Sequence, residues 1–438
     1  MQLLLEQIED AGKMASLQDL PNFSKAGTGK TYTALEAFRL SKLKRALVLC
    51  PKIALGMWAE EASMMLGCST QIMRTGRDIP VGADMTITTY DLASTLLPSL
   101  GELFVGKGQA LINDESHYVR SAGAKRTMAV FGRKLDLADG LACRFDQVWN
   151  LTGTPMVAYA NDLYTQVACL HPEVFERYNA DTLSKFERMF TFRRQKQYNK
   201  NMQPIWKICG NSNEGILNRI IYQEVGAIRR LEAKGLPPLR ERVLTVDVKL
   251  TSEMRSVMRG VKDSDIIAAI NNPESPIAKV WHMIGLGKVS EVVPYIGELA
   301  LQSPVLVGVW HTDVGEAYVN ALRGDRGAGL KVAHVNGATS DTNRELIRKA
   351  FNSGHIDVLV GQMAAMGVSW NIQKACANIV IAEEYPSPSV IEQFYKRVYR
   401  YGQENAVQLD YITSDNCIDE ALRGVRLRKA KSDLKING

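Results

Sequence analysis

The chain of 438 residues lacks any uninterrupted apolar run approaching roughly 18 residues, the length that a membrane-spanning helix needs. Residues 1–10 carry three acidic side chains and no basic flank, so we expect no signal peptide. Low-complexity tracts and short repeats are also missing. With 46% hydrophobic and 23% charged residues, the composition excludes wholesale disorder and predicts two to four folded domains.

The cysteine pattern excludes two further classes of protein. Seven cysteines are an odd number, and no two of them form a Cys-x-x-Cys pair. We therefore expect neither a disulfide framework nor a structural zinc site, but buried, reduced thiols in the cytoplasm. The net charge of +6 permits a polyanionic partner without requiring one, so the positions of the basic residues matter more than their number.

Short apolar runs alternate with helix-like polar stretches in both halves of the chain. This alternation predicts parallel sheets that are covered by helices on both faces. Two α/β lobes are expected, at residues 1–160 and 291–438. The predicted strands are residues 45–50, 85–89, 110–113, 147–152, 305–309, 331–335, 358–360, 379–382 and 408–412.

Residues 161–290 show a different pattern and are predicted to form a mainly helical insertion and linker. Gly235-Leu-Pro-Pro238 has the character of a hinge, because paired prolines break any helix. Residues 423–438 form a basic tail. The sequence leaves open whether this tail is frayed and solvated or contacts phosphates.

A glycine-rich loop, Ser24-Lys-Ala-Gly-Thr-Gly-Lys-Thr31, precedes a predicted helix. Gly27, Thr28 and Gly29 would let backbone N–H groups converge on phosphate oxygens at the start of that helix. Lys30 would reach the β- and γ-phosphates, and the hydroxyl of Thr31 would ligate Mg²⁺. This motif predicts a P-loop that binds a nucleoside triphosphate.

An acidic pair follows the predicted strand at residues 110–113. Asp114 is expected to hold Mg²⁺, and Glu115 to polarise the attacking water. The alternative for this pair, taken alone, is a solvated acidic turn. Its spacing from Lys30 favours the catalytic interpretation. His117 is expected to act as a relay from this site.

A late segment carries Gln393, Arg397 and Arg400 at spacings of four and three, which would share one face of a helix. A guanidinium suits the charge that develops on a transferred γ-phosphoryl group. Alone, the segment would be better explained as a solvated basic helix face. Together with the P-loop and the acidic pair, it favours an arginine finger.

The order of these motifs resembles that of superfamily 2 helicases and translocases, most closely the Swi/Snf-type group, across residues 5–412. The resemblance implies a P-loop NTPase with two RecA-like lobes and an ATP site between them. Gln7 stands where that group has an adenine-reading glutamine, and Leu151-Thr-Gly-Thr-Pro155 resembles the motif that couples hydrolysis to DNA contact. Gly367 and Gln393 are implied nucleotide contacts.

Nucleic-acid contacts are also implied by the resemblance. They fall on Pro51, Lys52, Thr89, Tyr90, Thr339, Arg344 and Gln362. Arg193 and Arg194, beside aromatic residues, would form either a hairpin that wedges a DNA junction or an exposed basic loop. The middle segment is similar to fork-remodelling annealing helicases and to compact phage-encoded branch-migration helicases.

We therefore expect an ATP-dependent DNA helicase or translocase that remodels branched DNA, by branch migration, fork reversal or unwinding, with ATP and Mg²⁺ as cofactors. It would be a cytoplasmic monomer, in the host cytoplasm if phage-encoded, without a membrane partner. The alternatives are a duplex translocase that separates no strands, and an RNA helicase. An ATP-gated binding module or restriction-complex subunit is disfavoured by Glu115 and the paired arginines.

Overall fold

The computed structural model describes residues 3–198, 204–231, 235–270, 272–324, 329–366, 370–415 and 418–437. The chain divides into two compact units, one of Met1–Glu232 with Ser432–Gly438 and one of Ala233–Lys431. The hinge predicted at residues 235–238 lies next to this division. Within the described residues no helix has the length and apolarity to cross a bilayer. The six cysteines found there are free thiols. Cys50, Cys169 and Cys376 are buried as expected, whereas Cys143 and Cys209 are exposed.

The first unit is built on a parallel sheet. Its helices and strands are α1 (Leu5–Ser16), α2 (Lys30–Ser41), β1 (Arg45–Leu49), α3 (Leu55–Leu66), β2 (Thr70–Ile72), β3 (Met85–Thr88), α4 (Tyr90–Thr95), α5 (Leu97–Leu103), β4 (Gln109–Asp114), α6 (Lys125–Phe131), β5 (Gln147–Leu151), α7 (Pro172–Glu176), α8 (Leu183–Phe190), β6 (Thr191–Tyr198), β7 (Pro204–Asn211) and α9 (Glu214–Arg219). Five strands pair in the order β2-β3-β1-β4-β5. Every residue of β3 and β4 is buried, as expected of strands covered on both faces.

The segment predicted as an insertion does not form a body of its own. Residues 161–231 belong to the first unit, and Phe186, Phe190 and Leu217 share a hydrophobic core with Leu47 and Leu49 of β1. The segment also contains the antiparallel hairpin of β6 and β7. Burial of its aromatic side chains against the sheet therefore decides where this segment belongs.

The second unit contains a second parallel sheet. Its helices and strands are β8 (Leu239–Val246), α10 (Ser252–Met258), α11 (Asp263–Ile270), α12 (Pro276–Ala300), β9 (Val305–Val309), α13 (Thr312–Arg323), β10 (Val332–Val335), α14 (Asp341–Asn352), β11 (Val358–Gln362), β12 (Asn378–Ile381), α15 (Pro388–Tyr395), β13 (Val407–Ser414) and α16 (Ile418–Asn437). Six strands pair in the order β10-β11-β9-β12-β13-β8. Two parallel sheets with helices confirm the predicted α/β class. The sequence did not predict the edge strand β8, because most of its side chains are exposed and half of them are polar.

One local expectation is wrong, and one question that the sequence left open is answered in part. The helix expected to carry the late arginines ends at Tyr395, because Val398 and Tyr399 turn into the core and Gln403 fixes the turn through the Cys376 carbonyl. The terminal tail is not frayed. It continues α16 to Asn437 and buries its final apolar residue.

Replacement of Phe186 by alanine should lower the free energy of unfolding by about 3–5 kcal/mol, because a fully buried ring is lost. The ring centroid lies 4.8 Å from that of Phe190 and 5.4 Å from that of Tyr164. Denaturant unfolding measures the change. Phe192→Ala is the matched control, since loss of this exposed ring should lower the free energy of unfolding by less than about 0.5 kcal/mol. Equal losses in the two variants would contradict the shared core.

Candidate functional site

The glycine-rich loop has the backbone conformation of an anion-binding turn. Gly27 and Gly29 adopt φ values of +86° and +83°, in the left-handed region that disfavours side chains. A Cβ at Gly29 would also lie 2.2 Å from Nε2 of Gln7. Thr31 follows in the first turn of α2, so its hydroxyl sits at the helix N-terminus beside the turn. Five of the predicted nucleotide residues, 27–31, thus follow one another in this turn with Gln7 beside it, whereas Gln393 lies in the second unit.

Two side chains hold this turn together. The ammonium of Lys30 donates hydrogen bonds to the carbonyl oxygens of Ser24 at 2.8 Å and Lys25 at 3.2 Å. Gln7 donates from Nε2 to the carbonyl oxygen of Thr28 at 3.1 Å, which attaches the predicted adenine-reading residue to the phosphate loop. Both side chains are therefore bonded to the backbone of the loop itself.

The acidic pair lies where β4 ends. Asp114 is buried and accepts hydrogen bonds from the indole of Trp58 at 2.9 Å and the backbone N–H of Glu115 at 3.1 Å. Burial, and next the charge of Glu115, raise the pKa of Asp114 to about 6, against the lowering effects of Trp58 and Lys30.

Glu115 is oriented by the segment after β5. Its Oε2 accepts a hydrogen bond from the hydroxyl of Thr152 at 3.2 Å and lies 3.3 Å from Nδ1 of His117. Nδ1 of His117 is in turn 2.9 Å from the Thr152 hydroxyl. Gly153 packs so closely on the phosphate loop that a Cβ there would lie 2.9 Å from the backbone nitrogen of Ala26. The acidic pair, the segment at residues 151–155 and the phosphate loop therefore lie together in the first unit.

Trp58 and Thr152 are the site residues that sequence reasoning missed. Both belong to segments that were noted for their resemblance, residues 50–58 and 151–155. Nothing in those segments named a partner for either side chain. Their donor groups gave no distinguishing signal, because each segment also holds another polar side chain, Lys52 or Thr154.

A divalent cation fits this donor set when it arrives with phosphates. Across the described ranges no cluster of three or more His, Cys, Asp or Glu could hold a metal by itself. The hydroxyl of Thr31 and the carboxylate of Asp114 are oxygen ligands of the kind that Mg²⁺ takes together with phosphates and water. A cation would also relieve the repulsion that raises the pKa of Asp114.

The nucleic-acid residues predicted in the first unit lie at strand ends. Lys52 is exposed after β1, whereas Pro51 is buried. Thr89 caps α4 by accepting a hydrogen bond from the backbone N–H of Leu92. Tyr90 is buried, and its hydroxyl donates to the carbonyl oxygen of Asp114 at 2.7 Å, so this side chain supports the acidic pair.

Arg344 organises a cluster in the second unit. Its guanidinium donates to the carbonyl oxygens of Thr339 at 2.9 Å, Ala365 at 2.5 Å and Asn336 at 2.8 Å. Oε1 of Gln362 accepts from the backbone N–H of Gly337 at 3.1 Å. These contacts fix the turn at residues 336–340, so the structure shows Arg344 and Gln362 supporting its backbone.

The predicted arginine-finger residues lie in and after α15. Gln393 is within the helix, and Arg397 and Arg400 are in the turns that follow it. Nε of Arg397 donates to the carbonyl oxygen of Gln393 at 2.8 Å, and Arg400 donates to the side chain of Asn371. Gly367, predicted to contact nucleotide, lies outside the described residues.

The hairpin of β6 and β7 presents aromatic and basic side chains. Phe192 is 60% exposed and Trp206 is 52% exposed. The guanidinium of Arg193 lies 5.9 Å from the ring centroid of Trp206, and Arg194 pairs in register with Lys207 on the other strand. Sequence reasoning identified the arginines but not Trp206, whose place opposite them depends on the strand register.

A sequence profile described as the SNF2-related domain matches residues 6–275 of this chain. The chain belongs to this family. SNF2-related proteins are ATP-dependent DNA-remodelling ATPases, and the match confirms the predicted enzyme class and the Swi/Snf resemblance.

Several curated proteins are similar to the chain. "SWI/SNF-related matrix-associated actin-dependent regulator of chromatin subfamily A-like protein 1" of Xenopus tropicalis is 24% identical over 413 residues, which cover 90% of this chain and 41% of that protein. The human "DNA annealing helicase and endonuclease ZRANB3" is 23% identical over 369 residues, 79% of this chain and 31% of that protein. The chain thus spans less than half of either relative.

One solved structure is also similar to the chain. It is described as "Sulfolobus solfataricus SWI2/SNF2 ATPase core in complex with dsDNA". The matched region covers 100% of this chain and 94% of that chain. At 19% identity and a TM-score of 0.44, the likeness carries no further conclusion.

Binding of Mg-ADP should weaken as the pH falls through about 6, because protonation of Asp114 removes the charge that attracts the cation. Calorimetric titrations across this range measure the effect. Glu115→Gln is the control. It removes a charge that raises the pKa of Asp114, so the loss of affinity should move to lower pH. ADP itself is protonated in the same way in both experiments, so a difference between the two pH profiles reports on Asp114. Identical pH profiles for the wild type and Glu115→Gln would contradict the effect of Glu115 on the pKa of Asp114.

Proposed function

We propose that the chain is an ATP-driven DNA translocase or helicase that remodels branched DNA. The observation that supports this proposal best is the segment after β5 in an SNF2-related chain, which packs on the phosphate loop at Gly153 and bonds to Glu115 of the acidic pair through Thr152. A cationic loop beside a carboxylate pair suits the cleavage of a phosphoanhydride by water.

Each side chain of the first unit has a distinct task in this proposal. Backbone N–H groups of residues 27–29 and the ammonium of Lys30 bind the phosphates, and Gln7 contacts the base. Thr31 and Asp114 would hold Mg²⁺, which supplies neutralisation of phosphate charge when bound. Glu115, oriented by Thr152, accepts a hydrogen bond from the attacking water and positions it for in-line attack.

The second unit is proposed to supply the remaining cations. Arg397 and Arg400 would neutralise charge that develops on the γ-phosphoryl group, and Gln393 would contact the nucleotide. Gly367 is retained as a proposed nucleotide contact. Because a guanidinium donates several hydrogen bonds in one plane, it can exchange its present partners for phosphate oxygens.

DNA is the proposed partner, and its sugar-phosphate backbone the main point of contact. Lys52, Thr89, Thr339 and the turn that Arg344 supports would contact phosphates. Binding of this kind tolerates any sequence and weakens as salt is added. One relative is named a DNA annealing helicase and endonuclease, which supports DNA as the substrate. A monomeric state and a cytoplasmic location stay predictions.

The hairpin is proposed to separate strands at a junction. Its exposed rings offer stacking surfaces for unpaired bases, worth about 1–3 kcal/mol per base, and its arginines offer charge for the backbone. The antiparallel ribbon gives these groups a rigid support.

Lys30→Ala should reduce DNA-stimulated ATP hydrolysis by at least about 100-fold, because the phosphates lose their nearest fixed cation. Steady-state phosphate release with forked DNA measures the effect. Lys44→Ala, at an exposed lysine of the same unit, is the control and should keep its activity. Near-normal turnover in the Lys30 variant would contradict the phosphate-loop assignment.

The same assay tests the nucleic acid. Forked DNA, plain duplex, single-stranded DNA and RNA are compared as activators, followed by strand exchange on a mobile four-way junction. Stimulation that is greatest with forks, together with junction movement, supports remodelling. Equal stimulation by plain duplex without strand exchange would support a duplex translocase instead.

The double substitution Arg193→Ala with Arg194→Ala should reduce fork processing about tenfold while ATP hydrolysis stays near normal, because the hairpin acts on the junction and not on the nucleotide. Gel assays of fork conversion and phosphate release measure the two activities. Arg74→Ala with Arg77→Ala removes the same charge from an exposed loop and serves as control. Parallel loss of both activities would indicate a general role in DNA binding.

A further inference from the structure

The end of the chain is an integral part of the unit that carries the phosphate loop. Residues 432–438 group with the first unit, more than 200 positions away from it in sequence. Ile436 lies in its hydrophobic core, and its carbonyl oxygen accepts a hydrogen bond from Asn218 at 2.7 Å. The side chain of Asn437 accepts from the hydroxyl of Tyr222 at 2.9 Å. These contacts fix the last turn of α16 in place.

Asp433, in this last turn, faces two cations. Its Oδ2 lies 3.6 Å from Nζ of Lys25 and 3.9 Å from Nη2 of Arg229. The side chains of Lys25, Arg229 and Asp433 are only 16%, 7% and 21% exposed. Water and salt therefore screen these charges less than they screen surface pairs.

Arg229 depends on this carboxylate. Its Nη1 donates to the carbonyl oxygen of Phe23 at 3.2 Å. Its Nε and Nη2 are buried and have no hydrogen-bond partner within the part of the chain that the structure describes. A guanidinium in this position carries a large desolvation cost, and a nearby carboxylate offsets part of it. Loss of the charge on Asp433 would remove the carboxylate that offsets part of this cost.

Arg229 and Lys25 both act directly on the phosphate loop. The backbone of residues 228–230 runs beside residues 22–25, with hydrogen bonds from the Phe23 N–H to Ile228 and from the Lys25 N–H to Arg230, both at 2.8 Å. Lys25 belongs to the loop, and its carbonyl oxygen accepts the hydrogen bond from Lys30 at 3.2 Å. Asp433 thus contacts the loop directly and also supports the strand beside it.

We propose that Asp433 is a positioning residue for nucleotide binding. Its carboxylate fixes Lys25 and Arg229, and these two fix the backbone at residues 23–25, so that the following N–H groups converge on phosphates before a nucleotide arrives. Preorganisation of this kind strengthens binding without changing the chemical step. The inference rests on the proposed ATPase function.

The test compares Asp433→Asn with Asp433→Glu in the full chain. Asp433→Asn should raise KM for ATP and Kd for Mg-ADP roughly tenfold with kcat nearly unchanged, because a charge-assisted contact is lost. Asp433→Glu should restore most of the affinity. Lys435→Gln is the matched control, since Lys435 occupies the same turn but pairs with Glu214 at 3.2 Å. Its KM should equal that of the wild type.

Amide hydrogen exchange of residues 23–31 provides a second measurement that needs no nucleotide. Faster exchange there in Asp433→Asn, with an unfolding midpoint close to wild type, supports the proposal. An unchanged KM with unchanged exchange overturns it, as does a fall in the unfolding midpoint without a change in KM. Equal effects of Lys435→Gln also overturn it, because docking of the helix rather than the charge would then be responsible.

Failure of the proposed function would look different. If the wild-type protein neither hydrolyses ATP nor binds Mg-ADP more tightly than Lys30→Ala, the ATPase assignment fails. The exchange rates would still report whether Asp433 orders the loop. If the wild type is active and Asp433→Asn matches it in KM and exchange, only the inference about Asp433 fails.

Discussion

A carboxylate buried next to a second carboxylate is the constraint on which the candidate site depends. Asp114 is buried beside Glu115, and both burial and repulsion favour its protonated form. Hydrogen-bond donors from other segments stabilise the pair. The indole of Trp58 donates to Asp114, and the hydroxyl of Thr152 donates to Glu115. Lys30 adds positive charge nearby. The site therefore keeps two acidic groups together only because several distant segments meet there.

The parallel sheet explains how these segments meet. Strands β1, β4 and β5 are neighbours, and their carboxyl ends lie at the same edge of the sheet. The Trp58 segment follows β1, the acidic pair ends β4, and Thr152 follows β5. Loops at the carboxyl ends of parallel strands are a common place for ligand sites. The phosphate loop joins the same edge through the bridge between Asn22 and Leu151.

Much of this architecture was predictable because apolar runs and glycine patterns act locally. All nine predicted strands are confirmed to within a few residues, and the phosphate loop has the predicted turn conformation. Predictions failed where distant contacts decide the local structure. The helix of the late arginines ends early because Val398 and Tyr399 are buried, and the basic tail is ordered because Ile436 enters a remote core.

Residue types and short spacings were enough to indicate the α/β class and the family, and to single out the residues that we propose bind phosphate. Tertiary structure alone decided that residues 161–231 share the core of the first unit, that Trp58 and Thr152 serve the acidic pair, and that Asp433 reaches the phosphate loop. The physical reason is that burial and charge pairing act through space. Partners separated by tens to hundreds of residues leave no local pattern in the sequence.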